Sequence, residues 1–213
     1  NMTKRLPTRT NDPERTMANI LEVAKAEFAE KGFAGARIDV IAAATHTSKR
    51  MIYYYFESKE KLYLAVLEAA YREMREHEAD LHLEDQTPVD ALRSLVEYTF
   101  DHHCQNEDYI RLVMSENILR GHFLAQSDLI QKLNVPAIEA ISKVYKRGVK
   151  AGVFRKGLDP IDLHASISAL AFFNVSNRHT FGLIFKRDWQ QAAHQQARKQ
   201  SVVELMLRYV MAD

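Results

Sequence analysis

Residues 32–62 read GFAGARIDVIAAATHTSKRMIYYYFESKEKL, and the fold of the N-terminal part follows from this stretch. Apolar residues recur at helical spacing in two short segments, 37–44 and 49–55, which are separated by the polar residues 45–47. Two short helices joined by such a tight turn and packed on a preceding helix are the geometry of a DNA-binding helix-turn-helix. The stretch therefore predicts a DNA-binding unit.

The second short helix is predicted to have one apolar face and one polar face. Ser48 is a favourable N-cap residue, and Ile52 and Phe56 are spaced i, i+4, so both turn toward the first helix. The three tyrosines at 53–55 cannot all be buried together. At least one is therefore expected to face outward, where its hydroxyl can donate a hydrogen bond to a phosphate.

The segments on either side of this unit predict where its helices begin and end. Asp12 and Pro13 are expected to start the first helix, and Gly32 is expected to end it. Residues 1–11 are polar and basic without apolar periodicity, so we interpret them as a flexible arm. A long helix is expected from Lys59, and its first N–H groups and positive dipole end suit a phosphate.

The composition favours an all-α protein of two domains. The chain has only 7 glycines and 5 prolines, and alternating β-branched runs are nearly absent. We expect an N-terminal three-helix helix-turn-helix domain at 1–58, followed by a larger helical ligand-binding and dimerisation domain at 59–213. The net charge is only +1, but residues 1–61 hold eleven Lys and Arg against eight Asp and Glu. That local excess suits phosphate contacts.

Capping and breaking residues predict the elements of the larger domain. These are a helix from 88 to about 104, a helix capped by Asn106 and ending near Gly121, a broken stretch at 123–133, a helix at 137–150, a long apolar helix from 160, a connection at 178–188 and a last helix at 190–211. The last two helices have broad apolar faces, which favour packing against a partner as well as within the subunit.

The stretch from Gly32 to Leu62 resembles the DNA-binding domain of the TetR family of repressors. The family pattern I-A-A, followed by S-x-x-x-[I/L]-Y-x-x-F-x-S-K-E-x-L, is matched at Ile41, Ala42, Ala43, Ser48, Ile52, Tyr53, Phe56, Ser58, Lys59, Glu60 and Leu62. The chain departs from it at His46, where glycine is usual, so His46 is expected to adopt a positive φ. Ala36 and Tyr55 stand where Thr and His are frequent.

The resemblance implies a ligand-responsive regulator, most often a repressor, that binds palindromic operator DNA as a homodimer and is released by a small-molecule effector. It implies backbone contacts to DNA from Arg37, Thr47, Ser48, Lys49, Tyr53, Tyr55 and Lys59. The candidates for base contacts are Thr47, Lys49, Arg50 and Tyr54. The resemblance also implies that the last two helices form a four-helix interface with those of a second subunit.

An effector pocket is expected between the helices of the larger domain, because cavities between helices are usual in such bundles. The candidate lining residues are Tyr98, His102, Met114, Asn117, Phe123, Phe172 and Asn174. Aromatic and Met residues at helical spacing belong to a core more often than to a ligand wall. Asn117 and Asn174 are stronger candidates, because an amide on an apolar helix needs a partner. No cofactor is expected.

Control by a protein partner or by a metal is the alternative to an organic effector. The Asp-His-His sequence at 101–103, with His77 and His82 upstream, contains potential metal ligands. Adjacent histidines point about 100° apart on a helix, however, so we expect no metal site. Cys104 is the single cysteine, which fits a reducing cytoplasm, and a lone helical cysteine packs more often than it senses oxidants.

Two further function classes lack the sequence features that they need. There is no phosphate loop, H-E-x-x-H motif or nucleophile elbow, so we do not expect an enzyme. No apolar run approaches the ~18–20 residues that span a bilayer, and no signal peptide pattern opens the sequence. We therefore expect a cytoplasmic protein without membrane contact, and we interpret Asn1, before Met2, as left by tag cleavage.

Overall fold

The computed structural model describes residues 12–213, and its architecture is helical, as predicted. The predicted flexible arm at 1–11 lies outside the described residues. The helices are α1 (Pro13–Gly35), α2 (Ile38–Ala44), α3 (Lys49–Phe56), α4 (Lys59–Ala79), α5 (Pro88–Gln105), α6 (Glu107–Ile118), α7 (Asp128–Lys150), α8 (Pro160–Ser176), α9 (Arg178–Phe185) and α10 (Ala192–Val210). Short 3₁₀ turns occupy Leu83–Asp85 and Leu124–Gln126.

Contacts divide the chain into two compact units, one ending at Val66 and the other beginning at Leu67. The sequence placed the domain boundary before Lys59, whereas the contact boundary lies inside α4. The first turns of α4 bury Leu62 and Tyr63 in the core of the first unit, which explains the later boundary.

The first unit begins with a capped helix. Oδ1 of Asp12 accepts hydrogen bonds from the backbone N–H groups of Glu14 and Arg15, at 3.1 and 3.4 Å. Helical geometry is interrupted at Gly32, which has φ 70, but α1 resumes for another turn before Ala36. Inside the unit, the ring of Phe28 packs edge-to-face on that of Tyr63, with centroids 5.0 Å apart.

The second unit is organised around α5, which packs against α7, α8 and α10. Its buried apolar core is contributed by these four helices and includes Leu92, Leu95, Phe100, Ile141, Val144, Leu163, Ile167, Val202 and Met206. The end of α10 is joined to the segment after α7 by backbone hydrogen bonds. Arg155 N–H donates to the carbonyl of Val210 at 2.9 Å, and Ala212 N–H donates to that of Val153 at 3.0 Å.

The predicted broken stretch at 123–133 is wrong in its second half, because α7 begins at Asp128. Oγ of Ser127 caps the helix by accepting a hydrogen bond from Ile130 N–H at 3.2 Å. Pro136 lies inside α7, where it lacks the N–H that would bond the carbonyl of Lys132. A proline is usually found at a helix start rather than in its interior, so the local sequence around Pro136 does not indicate that the helix begins at Asp128.

Two other predictions need correction. Asn106 stands at the N-cap position of α6, as predicted, but its side chain makes no capping hydrogen bond there. Its Nδ2 instead donates to the carbonyl of His102 at 2.9 Å and so satisfies the end of α5. The predicted connection at 178–188 contains a helix, α9. Arg178 in its first turn forms an ion pair with Glu107 of α6, a contact between distant parts of the sequence that the local pattern does not reveal.

Candidate functional site

The turn between α2 and α3 has the strained geometry expected at His46, whose φ is 52. Hydrogen bonds on both sides hold the turn in place. The hydroxyl of Thr45 donates to the carbonyl of Ile41 at 2.8 Å, and Thr47 N–H donates to the carbonyl of Ala42 at 2.9 Å. The turn therefore fixes where α3 begins, even without the usual glycine.

Helix α3 has the two faces that the sequence predicted. Oγ of Ser48 accepts a hydrogen bond from Met51 N–H at 3.2 Å and caps the helix. Ile52 and Phe56 are both buried, on the side that faces the rest of the unit. The capped start and the apolar anchor hold the opposite side of α3 toward solvent.

The outward face of α3 brings together four of the predicted DNA-contacting residues. Lys49 and Tyr53 are spaced i, i+4, as are Arg50 and Tyr54, and all four are exposed. Tyr54 is 76% exposed, and its ring packs edge-to-face on that of Tyr55, with centroids 5.4 Å apart. The prediction that at least one of the three tyrosines faces outward is confirmed.

An acidic residue that the sequence analysis did not single out lies among these cations. Asp39, in the first turn of α2, forms ion pairs with both Arg37 and Lys49. The three side chains are exposed or half-exposed, so the pairs are accessible to solvent. A sequence signal existed, because an acidic residue between two predicted phosphate contacts is unfavourable for DNA binding unless it has a partner.

Ser58, just before α4, and Lys59, its first residue, shape the second predicted phosphate site. Oγ of Ser58 accepts a hydrogen bond from Lys61 N–H at 3.1 Å, so one of the first N–H groups of α4 is already satisfied. Nζ of Lys59 lies 4.9 Å above the centroid of the Phe33 ring, a cation–π contact. Lys59 is therefore held in place rather than fully free in solvent.

Three of the predicted pocket residues meet in one aromatic cluster of the second unit. The ring of His102 lies 5.8 Å from that of Tyr98 and 5.3 Å from that of Tyr109. His103 connects His102 to Phe172, whose ring centroid is 6.2 Å away. Burial lowers the pKa of His103 to about 3, assisted by its histidine neighbour and by Arg75, so its ring is neutral at physiological pH.

The other predicted pocket residues lie outside this cluster. Asn174 is buried, where its Nδ2 donates to the carbonyl of Leu170 at 2.6 Å and its Oδ1 accepts from Nε of Arg198 at 3.0 Å. The void beside it has a volume of about 10 Å³, which suits one water rather than an organic molecule. Phe123 is buried against the ring of His122, and Met114 is half-buried.

Asn117 is in the wrong place for a pocket residue, because it is exposed and its amide bonds its own helix. Its Nδ2 donates to the carbonyl of Val113 at 2.9 Å. The need for a partner, which made it a candidate, is thus met by the backbone of α6.

A groove with a buried ion pair lies between α4 and α7 of the second unit. Nη1 of Arg75 lies 2.8 Å from a carboxylate oxygen of Glu78, and Nε of Arg75 donates to Oδ1 of Asn134 at 2.8 Å. Burial raises the pKa of the Glu78 carboxyl, and the nearby arginine opposes that rise. The groove has a volume of about 310 Å³. Its remaining wall contains the charged Glu84 and is otherwise apolar, formed by Ala79, Leu83, Leu133, Pro136, Ala137 and Ala140.

The residues considered for metal or redox sensing lie in different surroundings. His102 and His103 are buried with their Nδ1 atoms 3.4 Å apart, while His77 is exposed on α4. Within residues 12–213, the group found to bring three potential ligand atoms within 4.8 Å of one another is the exposed set His82, Glu84 and Asp85. Burial raises the pKa of the Cys104 thiol, which disfavours the reactive thiolate.

Comparison with known families agrees with this architecture along most of the chain. A sequence model of bacterial regulatory proteins, tetR family, matches residues 20–66, which contain the helix-turn-helix. A model of the tetracyclin repressor-like C-terminal domain matches residues 88–206, more than half of the chain. The chain belongs to the TetR family. Proteins of the TetR family are DNA-binding transcription factors rather than enzymes, and the resemblance drawn from residues 32–62 is confirmed.

Individual TetR relatives extend the match over nearly the whole chain. The HTH-type transcriptional repressor NicS of Pseudomonas putida is 34% identical over 178 residues, which cover 84% of each protein. The crystal structure of the putative transcriptional regulator SCO4942 of Streptomyces coelicolor superposes with a TM-score of 0.68 at 26% identity, covering 92% of this chain and 98% of that one.

A tetR-family regulatory protein of Rhodococcus RHA1 has the same fold. Its TM-score is 0.73 at 23% identity, covering 93% of this chain and 99% of that one. Among residues 12–213, none of the helices has the length and apolar character needed to cross a membrane. The tetR-family match at residues 20–66 and the similarity to the repressor NicS support a transcriptional repressor of the TetR type.

Proposed function

We propose that this repressor binds palindromic operator DNA as a homodimer and releases it when a small organic effector binds in the second unit. The observation that carries the DNA-binding part is the outward face of α3, with Lys49, Arg50 and Tyr54 opposite the buried Ile52 and Phe56. A rigid helix with basic and phenolic groups on its exposed side suits the major groove.

The proposed contacts divide into those that read bases and those that hold the backbone. Tyr54 is more exposed than Tyr53, and Arg50 is exposed one turn before Tyr54, so these two residues are assigned to base edges together with Thr47 and Lys49. Phosphate contacts are assigned to Arg37, Thr47, Ser48, Lys49, Tyr53, Tyr55 and Lys59. On DNA, phosphate oxygens would replace the Asp39 carboxylate as partners of Arg37 and Lys49.

The groove between α4 and α7 is our proposed effector site. Its volume lies at the lower end of the range for small-molecule pockets, and it combines an apolar wall with three charged side chains, Arg75, Glu78 and Glu84. Glu78 and Asn134 hold Arg75 in place through hydrogen bonds. The aromatic cluster is connected to the helix that carries Arg75, because the Tyr98 hydroxyl donates to the carbonyl of Met74 at 2.6 Å. A site of this kind favours an organic effector over control by metal alone.

Helix α4 supplies a physical route for the response, because the helix that carries Arg75 begins at Lys59. An effector that binds one tilt of α4 more tightly than another would shift the population of dimers whose recognition helices match consecutive major grooves. A difference of about 3–5 kcal/mol between the two states is enough for such a shift.

Operator binding is tested by selecting DNA from a random duplex library with the full-length protein. We expect an inverted repeat with half-sites about one helical turn apart, bound by one or two dimers. Arg50→Ala should reduce affinity for the selected duplex, while Arg72→Ala, which changes an exposed residue of α4, should not. Enrichment of no sequence, or equal effects of the two variants, would contradict the proposal.

Effector control is tested by screening small organic molecules for release of the selected duplex. For any molecule that releases DNA, Arg75→Gln should weaken the response at unchanged DNA affinity, with Arg72→Gln as the matched control on the same helix. Release that is unaffected by Arg75→Gln would place the effector site elsewhere. Failure of all molecules, with release by a copurifying protein or a divalent metal, would favour the alternative mode of control.

A further inference from the structure

Helix α9 presents an apolar tip that the rest of its own subunit does not cover. Leu183, Ile184 and Phe185 are 81, 68 and 63% exposed, and none of the residues of α9 is buried. Scattered exposed apolar residues are normal, but here three large ones are exposed together at the end of one short helix, and concentrated apolar surface of this kind is typical of interaction sites. We infer that α9 docks on a second copy of this chain and extends the dimer contact beyond α8 and α10.

The base of α9 is fixed while its tip is open. Arg178 forms an ion pair with Glu107 of α6, and Nε2 of His179 lies 3.4 Å from the other carboxylate oxygen of Glu107. Thr180 adds a hydrogen bond from its hydroxyl to the carbonyl of Asn177 at 3.1 Å. The helix is therefore an ordered arm held at one end, and its apolar tip is displayed in a defined position.

An aromatic stack joins α9 to the exposed face of α8. The ring of Phe181 is stacked on that of Trp189, with centroids 4.3 Å apart, and both rings lie 5.9 Å from that of Phe173. Phe173 is an exposed residue of α8, so the stack bridges the α9 tip to the helix that is expected to dimerise. The apolar surface of α9 is thus continuous with that of α8.

The exposed apolar surface of α8 and α10 agrees with this assignment. Ile161 and Phe173 on α8, and Leu205 and Tyr209 on α10, are large apolar side chains exposed in the single subunit. Residues 180–185 of α9 carry no charge, so their surface matches an apolar counterpart rather than a charged partner. In a two-fold symmetric dimer the same patch lies on both subunits, so each contact across the interface occurs twice.

This inference rests on the proposed homodimer and adds α9 to its interface. The competing occupant is a lipid surface, because Lys186 and Arg187 follow the apolar tip and basic residues beside apolar ones favour anionic membranes. The continuity of the α9 apolar surface with that of α8 favours the second subunit as its partner. Binding to lipid vesicles is therefore measured as the competing outcome.

The test compares two variants of the full-length protein by sedimentation equilibrium. Leu183→Ser/Ile184→Ser should raise the dimer dissociation constant at least about a hundredfold, which corresponds to about 3 kcal/mol at 1.4 kcal/mol per tenfold. Ile118→Ser is the matched control, because Ile118 is 79% exposed on α6 and lies outside the proposed interface. The control should dimerise as the unchanged protein does, and circular dichroism should show equal helix content in all three.

Trp189 supplies a second measurement, since it is the single tryptophan of the chain and lies in the aromatic stack. At a protein concentration where the unchanged chain is dimeric, acrylamide should quench its emission weakly. Quenching should increase in Leu183→Ser/Ile184→Ser and remain weak in Ile118→Ser. Docking of α9 predicts that quenching and dissociation change over the same concentration range.

Equal dissociation constants for the double variant and the control would overturn the inference, and operator binding by that dimer would leave the proposed function intact. A monomeric unchanged protein would instead contradict the proposed homodimer itself. Binding to vesicles of phosphatidylglycerol and phosphatidylcholine that is lost in the double variant, with unchanged dimerisation, would overturn the inference in favour of a lipid surface.

Discussion

Nη2 of Arg37 lies 3.1 Å from a carboxylate oxygen of Asp39, and the same carboxylate also pairs with Lys49. Two of the cations expected to hold DNA phosphates are therefore partly neutralised in the free protein. Binding DNA requires these pairs to open or to share their donors with phosphate. Exposed pairs of this kind contribute only about 0–1 kcal/mol each, so their exchange for phosphate contacts is readily reversible.

Asp39→Asn is expected to strengthen DNA binding. The substitution removes a negative charge from the surface that we propose faces the phosphates, and it frees Arg37 and Lys49. Affinity should rise roughly threefold to fivefold, the size expected for a surface charge interaction of up to about 1 kcal/mol. Fluorescence anisotropy at several salt concentrations measures it. Glu22→Gln, which removes an exposed carboxylate from α1, should change affinity less; an equal gain would show a non-specific charge effect.

Arg50→Ala and Tyr54→Ala should lower operator affinity without lowering stability, because both side chains point to solvent. A lost base contact costs about 1–3 kcal/mol and should reduce the preference for operator over random DNA. Binding to both duplexes and thermal unfolding are measured side by side. If operator and random DNA lose affinity equally, these residues contact phosphates instead of bases.

His46→Gly is expected to stabilise the first unit. His46 has φ 52, where a side chain is strained and glycine is not, so the substitution should raise the free energy of unfolding by up to about 1 kcal/mol. Ala43→Gly is the control, since Ala43 lies in helix α2, where glycine should destabilise by about 1 kcal/mol. Urea unfolding separates the two effects. Destabilisation by both variants would mean that the His46 side chain makes a compensating contact.

The stability of the second unit should fall on acidification. Burial lowers the pKa of His103 to about 3 from the ordinary value of 6.5, so between these values the unfolded chain binds a proton that the folded chain does not. Stability from this group is therefore complete above about pH 6.5 and declines as the pH falls toward 3, with a slope of about 1.4 kcal/mol per pH unit.

His103→Asn is expected to flatten this pH dependence, because it removes the titrating ring. His164, whose pKa is also lowered by burial, continues to contribute in the same direction. Urea unfolding between pH 5 and 7.5 measures the slope, and the exposed His122 provides a control through His122→Asn. An unchanged slope in His103→Asn would mean that another group binds the proton.

The helix-turn-helix was predictable because its determinants are local. The cap at Ser48, the i, i+4 pair of Ile52 and Phe56, and the turn at His46 are all read within a dozen residues, and each is found in the structure. The exposed side of α3 followed from the same periodicity.

The second unit was less predictable because distant contacts override local preference there. Helix α9 depends on the pairing of Arg178 with Glu107, and α7 runs through Pro136. The groove beside Arg75 was missed for a similar reason. A charged pair at i, i+3 resembles a solvated helix face, and only the packing of α7 shows that it is buried.

The backbone pairing of Arg155 and Val153 with Val210 and Ala212 has a consequence for the C-terminus. Helix ends normally fray, but these two backbone hydrogen bonds hold the last turn of α10 against unwinding and against sliding along its neighbours. Removing residues 211–213 would eliminate the hydrogen bond from Ala212 to Val153, leave that from Arg155 to Val210, and loosen the register of α10. A fusion or label attached after Asp213 would follow a segment whose direction these hydrogen bonds fix.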